Sequence, residues 1–584
     1  MSAAPATLAD LLAHAAGFER GVRFLSAAED DGLRLGYRAV HERARAVAGA
    51  LQERGLAPGQ RVAIVLPTGP EFYDAFFGAI LAGLVPVPLY PPVRLGRLEE
   101  YHERTAAMLR ACGARLVLTD RRVRRLLGEA TARAGGVACE LVAALEARRP
   151  RPVPLAPDDV AFVQFSSGTT VAPKPVQLTH RQVLANVAAI RGAILEAWPE
   201  GPELTHVGVS WLPLYHDMGL VGAVLVALSR PGELVLIPPE LFVARPAVWL
   251  RAISRWGGTT SPAPNFAYAL CAERIRDEEL VGVDLSSWRI ALNGAEPVTP
   301  AVLERFIERF APYGLRPEAL TPVYGLAEAT LAVTFSPLRE RFRHRCFARD
   351  ALVREGEARP AASGQPLASL GRPLPGFDVR IAADCGEPLA EGRLGRVLVR
   401  GPSVMQGYQG LPEATAAALR GGWLDTGDTG FLHGGELYLY GRTKDLLVLR
   451  GRNHAPQDVE QALDDVPGVR AGCSAAVGLL AADGAGEELV LFVERVRDAQ
   501  VPDAVLSERV RRRVLERTAL APAAVHVLEP GTLPRTSSGK IRRAETARLF
   551  QAGELQPPQR VRAAALLREM LRSRRAFSRG ARAR

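Results

Sequence analysis

Residues 165–180 read Phe-Ser-Ser-Gly-Thr-Thr-Val-Ala-Pro-Lys-Pro-Val-Gln-Leu-Thr-His and follow directly on an apolar run at 160–164. The hydroxyls of Ser166, Ser167, Thr169 and Thr170 can donate to phosphate oxygens, Gly168 lets the backbone come close to them, and Lys174 supplies a positive charge. A solvated polar loop has the same composition, and this stretch by itself leaves both readings open. It is not a P-loop of the G-x-x-x-x-G-K-[ST] kind, because Pro173 stands where a glycine must precede the lysine. Near the other end of the chain, 533–543 (Leu-Pro-Arg-Thr-Ser-Ser-Gly-Lys-Ile-Arg-Arg) sets Lys540 in a Gly/Ser loop, from which its ammonium could swing onto a phosphate.

Five further motifs lie between these loops. They are Trp211-Leu-Pro-Leu-Tyr-His-Asp-Met-Gly-Leu220, Asn293-Gly-Ala-Glu-Pro297, Tyr324-Gly-Leu-Ala-Glu-Ala-Thr330, Trp423-Leu-Asp-Thr-Gly-Asp428 and Gly441-Arg-Thr-Lys-Asp445. Seven motifs in this order resemble the adenylate-forming superfamily of acyl-CoA synthetases, luciferases and peptide-synthetase adenylation domains, over roughly residues 20–545. Within it the chain is most similar to the fatty acyl-AMP ligases, which activate a fatty acid and pass it to a carrier protein instead of coenzyme A. That narrower match rests on Pro86-Val-Pro-Leu-Tyr-Pro-Pro92, on the full 210–220 motif, and on Ala327 where many acyl-CoA ligases carry threonine. It also rests on a length: 46 residues separate Tyr324 from Gly371-Arg-Pro-Leu-Pro-Gly376, including a basic, low-pattern stretch at 337–370. In the ligases that this resembles, an insertion there is thought to restrain the C-terminal domain; a plain surface loop is the alternative.

The resemblance implies the reaction and the roles. A carboxylate attacks the α-phosphorus of ATP and displaces pyrophosphate, so cations and donors must offset repulsion between anions. By position, Ser166, Ser167, Gly168, Thr169, Thr170 and Lys174 would hold the β- and γ-phosphates. Glu328 would bind Mg²⁺, and Lys540 would bridge the α-phosphate and the substrate carboxylate. Gly294, Ala295, Glu296 and Pro297 would contact adenine, with Tyr324 stacking on the base beside Gly325. Asp428 would accept both ribose hydroxyls, and Arg442 would fix ribose and phosphate. His216 falls where the acyl carboxylate meets the adenylate, and Lys444 where the domain hinge belongs. Taken singly, each has an ordinary structural reading: a turn aspartate, a helix-start glutamate, a surface arginine, a structural histidine.

Two departures bear on activity. Val171 replaces a usual glycine and Pro175 follows Lys174 where glycine is usual, and both stiffen the loop. The substrate is read from Asp217, the sole acidic residue between 211 and 222; it lies among apolar residues and belongs to the acyl-AMP ligase-like motif, so an acyl chain is favoured over an amino acid. Leu220, Val221, Val224, Leu225 and Phe266 are candidate acyl-pocket residues, although such residues more often form ordinary core. No G-x-D-S carrier motif follows Lys540, so the expected acceptor is a separate phosphopantetheinylated acyl carrier protein. An acyl-CoA ligase and a non-catalytic acyl- or nucleotide-binding paralogue are the alternatives.

Alternating strand-like and helix-like runs, such as 61–66, 71–82 and 85–89, predict layered α/β architecture through residue 300. Short strand-like runs after 371 predict a β-rich subdomain at about 371–441. A small α+β C-terminal domain at 444–550 is expected beyond the larger N-terminal domain, 1–443. At 584 residues with 48% apolar and 23% charged content, the chain has enough for more than one core. Six scattered cysteines without C-x-x-C spacing argue against a disulfide framework or a structural zinc and for a reducing, cytoplasmic setting. Of the net charge of +10, residues from Leu555 onward carry +8. In this tail, 551–584, Ala563, Leu566, Leu567, Met570, Leu571 and Phe577 approximate helical spacing between arginines. A basic amphipathic helix is predicted, either docked on the body or touching an acidic partner or membrane surface. Nucleic acid is excluded, because no helix-turn-helix, zinc or stacking pattern accompanies the charge.

Overall fold

The structure, a computed structural model, describes residues 4–27, 30–92, 95–166, 173–201, 205–449, 451–481, 486–497, 501–536, 539–558 and 563–582. The all-apolar run at 62–65 is fully buried because Arg61–Val65 is a central parallel strand, flanked by Val85–Leu89 on one side and Leu116–Thr119 on the other. Parallel strands need crossovers, which here are the helices Pro70–Leu81 and α1 (Leu98–Cys112). Helix α2 (Arg121–Arg133) then leads into the edge strand Ala138–Leu141. Beside this sheet, β1 (Val160–Phe165) and β2 (Pro175–Thr179) form the antiparallel hairpin that carries the hydroxyl-rich loop, extended by Gly407–Tyr408.

The larger sheet has nine strands among the described residues. At its centre β3 (Val207–Ser210), β4 (Thr260–Ala263), β5 (Ile290–Asn293) and β6 (Leu320–Gly325) run parallel. Their C-terminal ends therefore open on one edge, where open α/β sheets bind ligands. Motifs separated by a hundred residues in sequence meet there. Farther along, β7 (Trp423–His433) and β8 (Glu436–Arg442) pair antiparallel with Asp428 opposite Arg442, in a smaller sheet with Asp378–Ala382 and Gly395–Arg400. Beyond these lie the three strands Val469–Leu480, Glu487–Arg495 and Ala524–Leu528, the helix Asp503–Thr518, and α3 (Arg543–Gln551). The chain is thus mixed α/β with a β-rich part and a smaller α+β part.

Two stretches take shapes that their sequence pattern leaves open. The 337–370 stretch, patternless in sequence, folds as a hairpin of His344–Phe347 and Gln365–Ala368 with a helical turn at Ala351–Glu355. It is held by Phe347, fully buried against Phe431 and Tyr438. The basic tail is helical, α4 (Ala563–Arg582), and docks on α2 of its own chain. Of the residues read as its apolar face, Leu566, Met570 and Phe577 are half-buried, whereas Leu567 and Leu571 are 59% and 47% exposed; the buried Ser573 completes the inward face. No helix among the described residues is long and apolar enough to cross a membrane.

The helix His180–Ala197 starts on a capping box formed by Thr179 and Gln182. Its first residue, His180, is buried, and Nδ1 accepts the Leu8 N–H at 3.2 Å. Burial pushes this imidazole down to about 4. The folded state therefore disfavours the proton that the unfolded chain takes up near pH 6.5, so His180 costs stability progressively between pH 6.5 and about 4, at most about 3 kcal/mol. Urea unfolding of the wild type should show that loss, and His180→Asn should reduce it.

Candidate active site

The two ends of the hydroxyl-rich loop are clasped. The Ser166 N–H donates to the Lys174 carbonyl at 2.9 Å, and the Lys174 N–H donates to Ser166 Oγ at 3.2 Å. Ser167, Gly168, Thr169, Thr170 and Val171 lie outside the described residues. Lys174 Nζ sits 4.6 Å from the Tyr408 ring centroid, a cation–π contact. Tyr408 Oη in turn donates to Glu328 Oε1 at 2.9 Å. Burial raises the Glu328 carboxyl above its ordinary range, against the pull of backbone and Tyr408 hydrogen bonds and of Arg442.

On the sheet edge, His216 caps the helical run that begins at Asp217, and His216 Nδ1 lies 2.5 Å from Asp217 Oδ1. Burial alone would raise the Asp217 carboxyl, but the charge and hydrogen bond of His216, with Lys540 beyond, hold it below its usual value. His216 Nε2 is buried without a hydrogen-bond partner among the described residues, and the side chain lines the cavity described below. After β5, the Glu296 carboxylate accepts the Phe266 N–H at 2.5 Å, while burial raises its pKa. Ala295 has φ +67°, a left-handed conformation costing a non-glycine residue about 1–3 kcal/mol, so the 294–297 turn is held in place by its surroundings.

The β7–β8 register brings Asp428 and Arg442 face to face, with Nε 3.1 Å from Oδ1. Tyr324 Oη donates to the other carboxylate oxygen, Oδ2, at 2.7 Å. Asp428 is the main reason the Arg442 guanidinium is held above its ordinary value. Lys540 completes the set. Its loop reaches over from the smaller part, with Gly539 beside the Phe266 ring. Burial and the neighbouring Arg442 lower the Lys540 pKa, against the attraction of Asp217, Glu296 and Asp428. One cavity of about 960 Å³ is walled by Ser166, Lys174, His216, Glu328, Asp428 and Lys540.

A carboxylate on a hairpin, an arginine opposite it, and two lysines, Lys174 and Lys540, in the wall of the same cavity suit a ribose and a chain of phosphates. The AMP-binding enzyme family matches residues 13–409. The chain belongs to the AMP-binding enzymes. It is 36% identical over 94% of its length to a Caulobacter vibrioides protein provisionally named an acyl-CoA synthetase, spanning 96% of that protein. It is 34% identical, over the same two shares, to the medium-chain-fatty-acid–[acyl-carrier-protein] ligase JamA of Moorena producens. Among solved structures, one from a study of fatty acyl-adenylate ligases of E. coli and L. pneumophila superposes with a TM-score of 0.87. It is 34% identical and covers 94% of this chain and 98% of that one.

This AMP-binding enzyme brings together in the same cavity Ala295, Glu296, Pro297, Tyr324, Gly325, Arg442, Lys444 and Phe266. Other residues fall elsewhere. Gly294 packs under Val323, whose Cγ2 a Cβ would approach to 2.8 Å. Leu220, Val221 and Val224 are essentially fully buried in the main hydrophobic core and do not face the cavity; their helical neighbours Met218 and Gly222 do. The reason is periodicity: 220–225 is a π-helical stretch, so side chains read as one apolar run divide between core and cavity. Tyr408 was missed. A lone Gln-Gly-Tyr carries no sequence signal, and its role comes only from the strand pairing of Gly407–Tyr408 with β2.

Proposed function

We propose that this enzyme activates a fatty acid to its acyl-AMP with release of pyrophosphate and then passes the acyl group to a separate phosphopantetheinylated carrier protein. The observation that carries the reading is that Lys540 shares one cavity with Asp428, Arg442, Glu328 and His216. In this reading Asp428 accepts the ribose hydroxyls, Arg442 and Lys174 meet phosphate, and Tyr324 and 294–297 frame the base. Lys540 offsets the charge that builds between the attacking carboxylate and the α-phosphate. His216, its Nδ1 held by Asp217, turns Nε2 toward the acyl carboxylate and donates to it in the imidazolium form, in which both ring nitrogens carry a proton. The described residues hold no cluster of three His, Cys, Asp or Glu side chains. Glu328 is a partly buried carboxylate whose second oxygen is not taken by Tyr408, so it fits a Mg²⁺ shared with phosphate oxygens and water. When bound, that ion neutralises phosphate charge.

The proposal includes a division at Lys444, with 444–550 moving against 1–443. Two features support a carrier protein as the acceptor over coenzyme A. The 337–370 hairpin is tied across this division, since Arg349 pairs with Asp458 and Phe347 shares a cluster with Ala455. The ligase JamA is named for an acyl-carrier-protein acceptor. Pyrophosphate release that depends on added fatty acid, with acyl-AMP identified by mass, tests the first step; no acid-dependent release with any chain length would refute it. Arg349→Ala removes one partner of the cross-tie and should raise any acyl-CoA yield several-fold while leaving acyl-AMP formation in place, since Arg349 is not among the residues that wall the cavity.

A further inference from the structure

Helix α4 ends a chain path that leaves the smaller part at α3 and returns to the larger one. Its Ser573 is 1% exposed and inserts its hydroxyl into α2: Oγ accepts the Gly128 N–H at 2.7 Å and donates to the Arg124 carbonyl at 3.3 Å, four residues apart on the same helix. A Cβ on Gly128 would lie 2.1 Å from the Ser573 carbonyl oxygen, so glycine there admits the close approach. One turn on, Phe577 packs into the cluster of α1 and α2 residues beneath the Arg124 guanidinium. On the other side, Glu569 lies 3.7 Å from His102 of α1, which is also buried. These are side chains buried on both partners, the mark of a built contact.

The same α1 carries the contacts of the smaller part. Arg542 pairs with Glu100 at 3.1 Å, and Arg97, just before α1, donates to the Thr532 carbonyl at 2.8 Å. The connection is short. Leu555 still packs on the smaller part's cluster and Pro558 lies against Gly531, so only 559–562 separate an anchored point from α4. Fully extended, the path from 558 to 563 spans no more than about 18 Å.

We infer that α4 is a tether: docked on α2 and α1, it holds the smaller part where Lys540 faces the cavity, and it must undock before that part can turn far from this position. The inference rests on the proposed movement about Lys444. A rotation that carries Pro558 more than the tether's length away forces either α4 off its site or Leu555 and Pro558 off theirs. The interface thus favours the arrangement with Lys540 inserted over any that removes it.

Gly128→Gln tests this, because it gains helix propensity in α2 while filling the space that α4 occupies. A chain ended at residue 562 removes α4 outright. Hydrogen exchange of the full-length protein without substrates is the readout. In both variants amides at 532–546 should exchange about tenfold faster, those of β3–β6 being unchanged, because the docked state loses its tie. Transfer from preformed acyl-AMP to a thiol acceptor should speed up relative to adenylation. If Gly128→Gln frees 566–578 to exchange, or the shortened chain folds, and 532–546 exchanges as in wild type, the tether is refuted. Should Gly128→Gln leave α4 docked, the shortened chain decides alone. Failure of adenylation in wild type would sink the proposed reaction yet leave the exchange result readable.

Discussion

Lys540→Ala is expected to slow acyl-adenylate formation by about 10²–10³-fold, the usual cost of losing one electrostatic contact to charge that develops in the transition state. The cavity carries Asp217, Glu296, Glu328 and Asp428, and bringing in a carboxylate and a triphosphate adds anions to anions. Arg442 is committed to Asp428 and Lys174 lies against Tyr408, so neither takes over the work of Lys540. Acid-dependent pyrophosphate release checks this, with kcat falling far more than the KM for ATP rises. The pH profile adds a second arm. Burial lowers the Lys540 pKa, and the ammonium is the working form, so activity is lost as pH rises through a value below the ordinary lysine range. Lys540→Arg, still charged there, should push that alkaline limb upward even if its maximal rate is low.

Asp428→Ala should raise the KM for ATP by about 10- to 100-fold, since hydrogen bonds to a charged acceptor are worth about 1.5–3 kcal/mol. Two further groups suffer. Arg442 loses the carboxylate that balances it, and the Tyr324 hydroxyl, within a buried side chain, loses its acceptor. Part of the cost therefore appears as lowered stability, discounted because the arginine side chain is 41% exposed. Steady-state kinetics with ATP varied, beside thermal unfolding without ATP, separate the two. Asp428→Asn keeps one acceptor oxygen and should fall between wild type and alanine in both. Equal KM values for all three proteins would remove Asp428 from the ribose-binding role.

Much of this was legible because the motifs sit at strand ends. A run such as 290–293 announces a buried strand, and the residues that follow it must then emerge at the sheet edge, where Ala295 and Glu296 are found. Lys540 could be placed only by its resemblance, since nothing local says that a loop more than two hundred residues away reaches Phe266. Contacts made across sheets left less trace. Tyr408 gains its role from pairing with β2, and Phe347 anchors a hairpin whose strands, His-Arg-Cys-Phe and Gln-Pro-Leu-Ala, lack a clear alternation. The tail shows the limit of periodicity: the spacing identifies a helix, but Ser573 and Glu569, polar residues matched to Gly128 and His102, help decide which face turns inward. An apolar count includes Leu567 and Leu571, which face outward, along with the half-buried Leu566, Met570 and Phe577, and so draws the buried face too wide.

The most direct measurement offers the purified protein ATP, Mg²⁺ and fatty acids of graded length, with coenzyme A and a phosphopantetheinylated carrier protein present together, and follows products by mass. The account predicts acyl-AMP that drains into acyl-carrier protein while acyl-CoA stays at trace levels, and neither product with Lys540→Ala. Abundant acyl-CoA formed in preference to acyl-carrier protein would contradict it.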